Sequence, residues 1–293
     1  MVSAISVETA LEAGDVLGES PVWSREEQSL YWVDILRPSV RRWTPATGEQ
    51  RDWQLPAEVG SMALRERGGA VLALRTGFAL LDFATGAVTG LHDPEPEATG
   101  NRFNDGKCDP AGRFWAGTMD CAEKEPLGAL YRLDPDHRSH RMTGGVICSN
   151  GLGWSPDGRT MYYTDTWTHR IDAFDFDLGT GRIENRRTFA ETPPGEGHPD
   201  GLTVDSEGGI WSARWDGWRV VRYAPDGSVD RTVELPVPRP TSCAFGGPGL
   251  SDLFVTSAST GLSPATLDEA PLSGAVFRID AGVTGLTDAT FAG

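Results

Sequence analysis

The chain has 293 residues, of which 39% are hydrophobic and 23% are charged, and its formal net charge at pH 7 is −16. This length fits either two ordinary domains or one large closed all-β domain. The negative charge would repel a phosphate backbone or an anionic membrane surface, and no cluster of Lys and Arg offsets it. We therefore expect neither nucleic acid nor a membrane as a partner.

The N-terminal sequence and the cysteines indicate the compartment. The first fifteen residues, MVSAISVETALEAGD, lack a basic segment followed by an apolar run, and no stretch of ~18 apolar residues occurs. A cytoplasmic protein is therefore expected. Cys108, Cys121, Cys148 and Cys243 are widely spaced and form no CxxC pair, so we expect them to be buried free thiols.

Short strand-like segments separated by glycine-containing turns follow one another along the whole chain. In order they are SLYWVDI, AVLALRT, RFWAGTM, TMYYTDT, GIWSARW and DLFVTSA. Repeats of ~40 to 50 residues with several strands each are typical of β-propellers. We predict an all-β fold, a six-bladed β-propeller with four-stranded antiparallel blades around a central channel, formed by residues 1–293 as a single domain.

The turns between strands put six repeat units in register. Gly112, Gly158 and Gly208 each mark a tight hairpin, where glycine tolerates a positive φ. Eight residues before each turn stands one polar residue that opens an apolar strand. These residues are Glu19, Ser61, Asn104, Asn150, Asp200 and, in a looser last unit, Thr241 or Ser242.

In a propeller the first strand of each blade is the innermost, so these polar residues should form a ring around the channel. The loops after the second strands should line the same mouth of the channel. They contain Asp34, Arg75, Asp120, Trp167 and Trp215. The segment AISVETALE near the N-terminus is expected to pair with the last blade, which would remove an exposed sheet edge.

The predicted ring contains two carboxylates, Glu19 and Asp200, and two amides, Asn104 and Asn150. Oxygen donors without thiolates suit a hard divalent cation, and three protein ligands would leave coordination positions open for substrate. In the alternative interpretation, the Asn and Asp side chains cap turns beside glycine. The metal site is favoured because all four residues share one register and Glu19 has no comparable turn role.

These motifs resemble the family of senescence marker protein, gluconolactonase and luciferin-regenerating enzyme, which includes regucalcin-like sugar lactonases. The resemblance spans nearly the whole chain, through GESPVW, NRFNDGKCDPAGRFWAGTM, SNGLGWSPDGRTMYYTD and PDGLTVDSEGGIW. It implies a six-bladed propeller whose metal is held by Glu19, Asn150 and Asp200. It also implies that Arg102 and Asn104 contact the substrate.

The sequence departs from the family pattern after the GTM motif. Many sugar-binding members carry a Glu a few residues further on, whereas this chain reads GTMDCAEKEP and has Ala122 at the matching position. Asp120 and Glu123 are the candidates for the missing contact, and Asp120 is taken as the substrate-binding residue. The sugar specificity of a relative therefore cannot be transferred directly.

The resemblance implies metal-dependent hydrolysis of a sugar lactone, an aldonolactone, to its aldonic acid. Asp200 is predicted to be the catalytic base as well as a metal ligand, because its second oxygen could take a proton from the attacking water. One divalent ion is expected, Ca²⁺ first, with Zn²⁺, Mn²⁺, Mg²⁺ or Fe²⁺ as alternatives. The expected partner is a small sugar lactone, and the expected oligomeric state is a monomer.

Two other functions stay open at this point: hydrolysis of another activated ester, such as an organophosphate, and a non-enzymatic calcium-binding propeller. Serine catalysis is set aside because no GxSxG motif occurs. His198 is predicted to be an exposed turn residue rather than a group that supports Asp200. The segment FDFDLGTGRIE superficially matches a calcium loop, but we interpret it as a hairpin.

Overall fold

The computed structural model describes residues 6–293, in which 24 strands form six four-stranded antiparallel sheets. Blade 1 contains β2 (Gly18–Ser24), β3 (Ser29–Asp34), β4 (Ser39–Thr44) and β5 (Glu49–Gln54). Blade 2 contains β6 (Val59–Leu64), β7 (Ala70–Leu74), β8 (Gly77–Leu81) and β9 (Val88–His92). Blade 3 contains β10 (Asn101–Cys108), β11 (Phe114–Asp120), β12 (Gly128–Leu133) and β13 (Ser139–Val146). Blade 4 contains β14 (Ser149–Trp154), β15 (Thr160–Asp165), β16 (Arg170–Asp177) and β17 (Arg182–Glu191). Blade 5 contains β18 (His198–Val204), β19 (Ile210–Trp215), β20 (Arg219–Tyr223) and β21 (Val229–Glu234). Blade 6 contains β22 (Pro240–Gly246), β23 (Asp252–Ser257), β24 (Val276–Asp280) and β1 (Val7–Leu11). A 3-10 turn, Thr166–Thr168, follows β15, and a short helix, α1 (Pro264–Glu269), lies between β23 and β24.

The predicted six-bladed propeller is confirmed, and its ring closes through the N-terminal strand. β1 is the outer strand of blade 6 and pairs antiparallel with β24, with Glu8 opposite Arg278. This confirms the predicted closure for the segment from Val7 onwards, whereas residues 4 and 5 lie outside the described range. Because one blade is built from both ends of the described chain, the sheet edge of β24 is covered.

Burial decreases from the channel to the rim of each blade. Every residue of β2 is buried, whereas β5, at the outside of the same blade, is exposed except for Trp53. The core lies between neighbouring blades, where large aromatic side chains meet. Trp115 of blade 3 contacts Trp154 of blade 4 edge to face, with 6.0 Å between ring centroids. The apolar faces of adjacent sheets therefore hold the blades in a fixed order around the channel.

Buried aspartates tie the hairpins after two inner strands to the second strand of the blade. Asp109 accepts hydrogen bonds from the indole of Trp115 at 2.8 Å and from the guanidinium of Arg113 at 2.6 Å. Asp205 does the same with Trp211 at 2.9 Å and Arg222 at 2.8 Å. Each carboxylate is thus paired and hydrogen-bonded, as a buried charge requires. The Asp–Trp contacts explain why DPAGRFW and DSEGGIW share the same spacing between Asp and Trp.

The smaller predictions about turns and thiols are mostly confirmed. The hairpin glycines have positive φ, for example +76° at Gly112 and +82° at Gly208, and FDFDLGTGRIE forms the hairpin between β16 and β17. All four cysteines are free, and three are buried, but Cys121 is exposed because it lies in the turn directly after β11. Within residues 6–293, no helix is long and apolar enough to cross a membrane.

Candidate metal and substrate site

The six polar residues that the sequence places at the starts of strands do lie on the six innermost strands. All of them are buried, on β2, β6, β10, β14, β18 and β22; they are Glu19, Ser61, Asn104, Asn150, Asp200 and Ser242. Thr241, the alternative in the last unit, is buried as well and donates its hydroxyl to the carbonyl of Gly18 at 2.5 Å. The turn-capping interpretation of Asn104, Asn150 and Asp200 is therefore wrong, because these residues are in strands.

A break in strand register occurs close to the polar residue in every inner strand. The pairing of β2 with β3 shifts between Glu19 and Val22, and that of β14 with β15 shifts between Asn150 and Leu152. Equivalent shifts occur in β6, β10, β18 and β22. A β-bulge changes the direction in which a side chain points. Six repeated bulges thus orient the polar residues differently from the apolar residues that follow them.

Glycines beside the ring residues let neighbouring inner strands approach closely. A Cβ atom on Gly151 would lie 2.6 Å from the carbonyl oxygen of Asp200. A Cβ atom on Gly201 would lie 2.4 Å from the Cβ of Ser242. Both distances are shorter than any tolerable contact, so only glycine fits. The close approach brings Asn150 on β14 next to Asp200 on β18.

We predict that Gly151→Ala destabilises the protein by ~1 to 3 kcal/mol, because β18 must move away from β14 to admit the methyl group. The same movement would separate Asn150 from Asp200 and weaken divalent-cation binding. Gly90→Ala is the matched control, since Gly90 lies in the outer strand β9 with no atom within 4 Å of the added Cβ. Thermal melts and cation titrations by calorimetry should separate the two variants, and equal behaviour would contradict the packing argument.

The amide side chains of the ring are held by specific hydrogen bonds. Asn104 Nδ2 donates to the carbonyl of Ser149 at 2.8 Å, and Asn104 Oδ1 accepts from Arg102 Nη1 at 2.7 Å. Asn104 therefore links blades 3 and 4 and fixes the guanidinium beside it. Asn150 Nδ2 donates to the hydroxyl of Thr166 at 2.9 Å, which defines the orientation of this amide. The amide oxygen of Asn150 is on the opposite side of that group.

Three buried oxygen atoms of the ring have no hydrogen-bond partner among residues 6–293: the hydroxyl oxygen of Ser61 and two carbonyl-type acceptors. The two acceptors are Asn150 Oδ1 and Asp200 Oδ1. A buried acceptor without a partner costs ~1 to 3 kcal/mol, and more if it is charged. Such atoms usually mark a place where a ligand, an ion or a water molecule binds. The same two residues are among the three metal ligands expected from the sequence.

The charges of the ring point to a cation. Burial raises the pKa of Glu19 well above its usual range, and the neighbouring charge of Asp105 adds to this. Burial, followed by the charges of Glu19 and Asp105, also raises the pKa of Asp200. Burial raises the pKa of Asp105 to about 6. The charge of Asp105 thus opposes the ionisation of Glu19, and both oppose that of Asp200, so a divalent cation would relieve this repulsion.

The donor set of the site is mixed. Within residues 6–293, no three His, Cys, Asp or Glu side chains are grouped closely enough to form a metal site by themselves. A cation in the channel would therefore need an amide oxygen as well as the carboxylates of Glu19 and Asp200. The unpaired Oδ1 of Asn150 meets this need, and an all-oxygen set of this kind suits Ca²⁺ and other hard cations. The residues present fit the predicted metal.

Asp120 and Glu123, the two candidates for the missing sugar contact, have different surroundings. The carboxylate of Asp120 accepts backbone N–H bonds from Ala122 at 3.0 Å, Lys124 at 3.2 Å and Glu125 at 3.3 Å, and these bonds lower its pKa. Asp120 thus shapes the loop after β11. Glu123 is exposed at the tip of this loop, where its φ of +54° turns the chain, and its carboxylate accepts from the indole of Trp167 at 3.0 Å.

The other predicted mouth residues also have structural contacts. Asp34 is buried and accepts the backbone N–H groups of Val16 at 2.9 Å and Leu17 at 3.1 Å, so it anchors the entry to β2. Arg75 forms an ion pair with Glu58 at 3.1 Å. Trp215 packs partly buried against the core and under a guanidinium. Trp167 contacts residues from both neighbouring blades, Glu123 of blade 3 and His198 of blade 5.

A cavity of about 320 Å³ lies beside Arg102 between blades 2 and 3. Its walls carry the cationic side chains of Arg75 and Arg102 together with the acidic side chain of Asp93. The loop on its outer side is held by Glu95, whose carboxylate accepts hydrogen bonds from Asn101 at 2.9 Å and from Thr118 at 2.9 Å. The cavity therefore presents a few charged and polar groups, as small-molecule sites do, and the bonds of Glu95 restrain the loop on its outer side.

Sequence reasoning missed or misassigned several members of the site. Asp105 was not singled out, although it directly follows Asn104. Thr166 gives no signal in the sequence, because its contact with Asn150 depends on the turn after β15. The prediction that His198 is an exposed turn residue is wrong: it opens β18, is half-buried, and its ring lies 4.7 Å from that of Trp167. Pairing of β18 with β19 holds it there.

The fold and this site define a class, the six-bladed β-propellers that carry an oxygen-lined polar site in the central channel. Residues 17–259 match the model of the SMP-30/Gluconolactonase/LRE-like region. The chain belongs to the SMP-30/gluconolactonase/LRE-like family, as the motifs of the sequence indicate.

Individual relatives cover nearly the whole chain. Regucalcin from Gallus gallus is 45% identical over 285 residues, which make up 94% of this chain and 95% of that protein. A luciferin-regenerating enzyme structure has a TM-score of 0.92 and 32% identity, covering 99% of this chain and 100% of its own. A regucalcin from Agrobacterium tumefaciens, described as a calcium-binding protein, has a TM-score of 0.94 and 30% identity, with coverages of 98% and 97%.

Proposed function

We propose that this protein hydrolyses a sugar lactone, an aldonolactone, to the aldonic acid with one divalent cation, Ca²⁺ in the first place. Glu19, Asn150 and Asp200 would hold the ion. The observation that carries this proposal is the pair of buried, unpartnered oxygens on Asn150 and Asp200, next to carboxyl groups that repel one another. Membership of a family that includes gluconolactonase supports the choice of a lactone.

A divalent cation at this site would supply Lewis-acid polarisation of the ester carbonyl. The chain itself would supply the base, because the carboxylate oxygen of Asp200 that does not hold the ion could accept a proton from the attacking water. Arg102 would orient the ring of the substrate. Its Nη1 donates to Asn104 Oδ1 and to the carbonyl of Phe103, so the remaining N–H groups of the fork can reach a ligand.

The space beside the site suits a polar small molecule. The cavity of about 320 Å³ next to Arg102 presents guanidinium, carboxylate and hydroxyl groups in its walls. A hydroxylated sugar chain can both donate to and accept from such groups, whereas a large apolar ester cannot. We assign this cavity to the part of the lactone that lies outside the reacting ester.

The second candidate is calcium binding without catalysis. The description of the Agrobacterium tumefaciens protein as a calcium-binding protein favours it, and the same three residues would hold the ion. It differs from the lactonase in its dependence on Arg102, since a site that only binds calcium has no use for a guanidinium fixed beside it. Hydrolysis of another activated ester, such as an organophosphate, would use the same residues as the lactonase.

The test is a pH-stat measurement of acid release from a panel of pentono- and hexonolactones. Protein stripped of metal by a chelator should leave the spontaneous rate unchanged, and restoring Ca²⁺, Zn²⁺, Mn²⁺, Mg²⁺ or Fe²⁺ singly should identify the effective ion. An organophosphate ester is assayed alongside with the same metal-loaded sample. Stoichiometric calcium binding without any acid release above background would contradict the lactonase and favour the calcium-binding candidate.

A further inference from the structure

Trp167 connects three blades at the mouth of the channel. Its indole Nε1 donates to the carboxylate of Glu123 in the loop of blade 3, at 3.0 Å. Its ring meets the ring of His198, the first residue of blade 5, edge to face at 4.7 Å between centroids. Trp167 itself belongs to the turn after β15 in blade 4 and is half-buried. The side chain is thus fixed by polar and aromatic contacts while part of it stays open to solvent.

This tryptophan lies beside the candidate metal site. Its neighbour Thr166 accepts the hydrogen bond of Asn150 at 2.9 Å, and His198 stands two residues before Asp200 on the same strand. After burial and the carboxylates of the ring, the charge of Glu123 also raises the pKa of Asp200, so Glu123 is within electrostatic reach of the site. Thr166, His198 and Glu123 therefore connect Trp167 to the candidate metal ligands Asn150 and Asp200.

We propose that Trp167 is a substrate-binding residue whose indole packs against the C–H face of a bound sugar ring, and that Glu123 holds the indole in position. Sugar rings combine an apolar face with hydroxyl groups at the rim, and a tryptophan offers a large, rigid apolar surface that loses little conformational entropy on binding. Arg102 and Asn104 lie on the blade 3 side of the site, so the ring would be held between a polar wall and an aromatic wall. This inference rests on the proposed lactonase function.

The role of Glu123 follows from the geometry of its carboxylate. One oxygen accepts the indole hydrogen bond, which restrains rotation of the Trp167 side chain. A Gln at this position can still accept that bond through its amide oxygen, whereas an Ala cannot. Glu123 is therefore described as a positioning residue, and the charge itself is not required.

Four variants test this inference: Trp167→Ala, Trp167→Phe, Glu123→Ala and Glu123→Gln. Trp167→Ala should raise KM for the best lactone at least roughly tenfold while kcat changes little, because ring packing is lost equally in the ground state and the transition state. Trp167→Phe, which keeps an aromatic face, should lose less. Glu123→Ala should raise KM severalfold, and Glu123→Gln should stay near the unmodified protein.

The control is Leu178→Ala, which removes an exposed apolar side chain from the turn between β16 and β17, on the face opposite the mouth. All five variants should still bind one calcium ion and melt in a single cooperative transition, which excludes loss of the site or of the fold. An unchanged KM in Trp167→Ala would overturn the proposal. Equal defects in Glu123→Gln and Glu123→Ala would overturn the positioning role of Glu123.

A sugar lactam, in which a ring N–H replaces the ring oxygen, separates this inference from the proposed function because it resists hydrolysis. Its binding to calcium-loaded protein is measured by calorimetry. Binding that Trp167→Ala weakens would support the inference even if no lactone is hydrolysed. Lactone hydrolysis with normal KM in Trp167→Ala would overturn the inference alone, and a protein that neither hydrolyses lactones nor binds the lactam would overturn both.

Discussion

Replacing Asp200 by Ala should abolish tight divalent-cation binding and metal-dependent lactone hydrolysis together. Asp200 provides one of the two buried amide and carboxylate oxygens of the ring that have no donor among residues 6–293, and it is the base that the proposed reaction requires. Loss of general-base assistance alone lowers a rate by ~10²- to 10⁴-fold. Loss of the ligand adds to this, so acid release should fall to the spontaneous rate.

The Asp200→Asn variant separates loss of the site from loss of the fold. The Asn side chain has the same shape without the charge. Burial is the largest cause of the raised pKa of Asp200, and the charges of Glu19 and Asp105 come next, so the variant removes both the buried charge and this repulsion. We expect metal-free Asp200→Asn to melt at or above the temperature of the metal-free unmodified protein, while calcium no longer raises its melting temperature. For the unmodified protein, calcium at about 100 times its Kd should add ~2.7 kcal/mol.

The matched control for Asp200 is Glu26→Gln, which removes one negative charge from the exposed hairpin between β2 and β3. This variant should bind calcium and hydrolyse lactone like the unmodified protein. Normal turnover in Asp200→Ala would contradict the assignment of base and ligand. Lost turnover with normal calcium affinity in that variant would support Asp200 as the catalytic base and contradict its assignment as a metal ligand.

Replacing Arg102 by Ala should lower kcat/KM for the lactone by ~10²- to 10³-fold, the size of effect seen when one preorganised donor is removed from an active site. The guanidinium is fixed by its bonds to Asn104 Oδ1 at 2.7 Å and to the carbonyl of Phe103 at 2.9 Å. It can therefore meet a substrate oxygen without further ordering. It also lowers the pKa of Glu19 by its charge, which acts against burial and the charge of Asp105.

Calcium affinity should distinguish Arg102 from the ligands. Removing a nearby positive charge cannot weaken cation binding electrostatically, so Arg102→Ala should bind calcium at least as tightly as the unmodified protein. Arg102→Lys keeps the charge but not the planar fork, and should recover only a minor part of the activity. Full activity in Arg102→Lys would show that charge alone matters, and full activity in Arg102→Ala would remove this residue from the substrate site.

Much of the architecture could be predicted because the same pattern, a polar residue at the start of an apolar strand followed by a hairpin turn, recurs in six repeat units. Turn glycines with positive φ, such as Gly112 and Gly158, mark the hairpins, and a fixed offset from them reaches the inner-strand polar residues. Local sequence is enough for this step because hairpin geometry depends on residues close in the chain. Closure through β1 also followed, since an unpaired final blade would leave a sheet edge exposed.

The contacts made by the loops could not be predicted in the same way. The hydrogen bonds from Asn150 to Thr166 and from Trp167 to Glu123 depend on loop conformations that no local sequence pattern determines. The same limit explains why the sequence predicts an exposed turn residue at His198, which the structure shows half-buried against Trp167.

The sequence by itself determined the propeller, the register of its blades and the identity of Glu19, Asn150 and Asp200 as the residues around the channel, because these depend on periodic patterns within each repeat. Only the tertiary structure decided which of their oxygens lack partners, that burial and neighbouring charges raise the pKa of Glu19 and Asp200, and which loop side chains surround the mouth. Those properties arise from atoms far apart in the chain that burial brings into contact, and the cost of desolvating a charge exists only once the fold has excluded water.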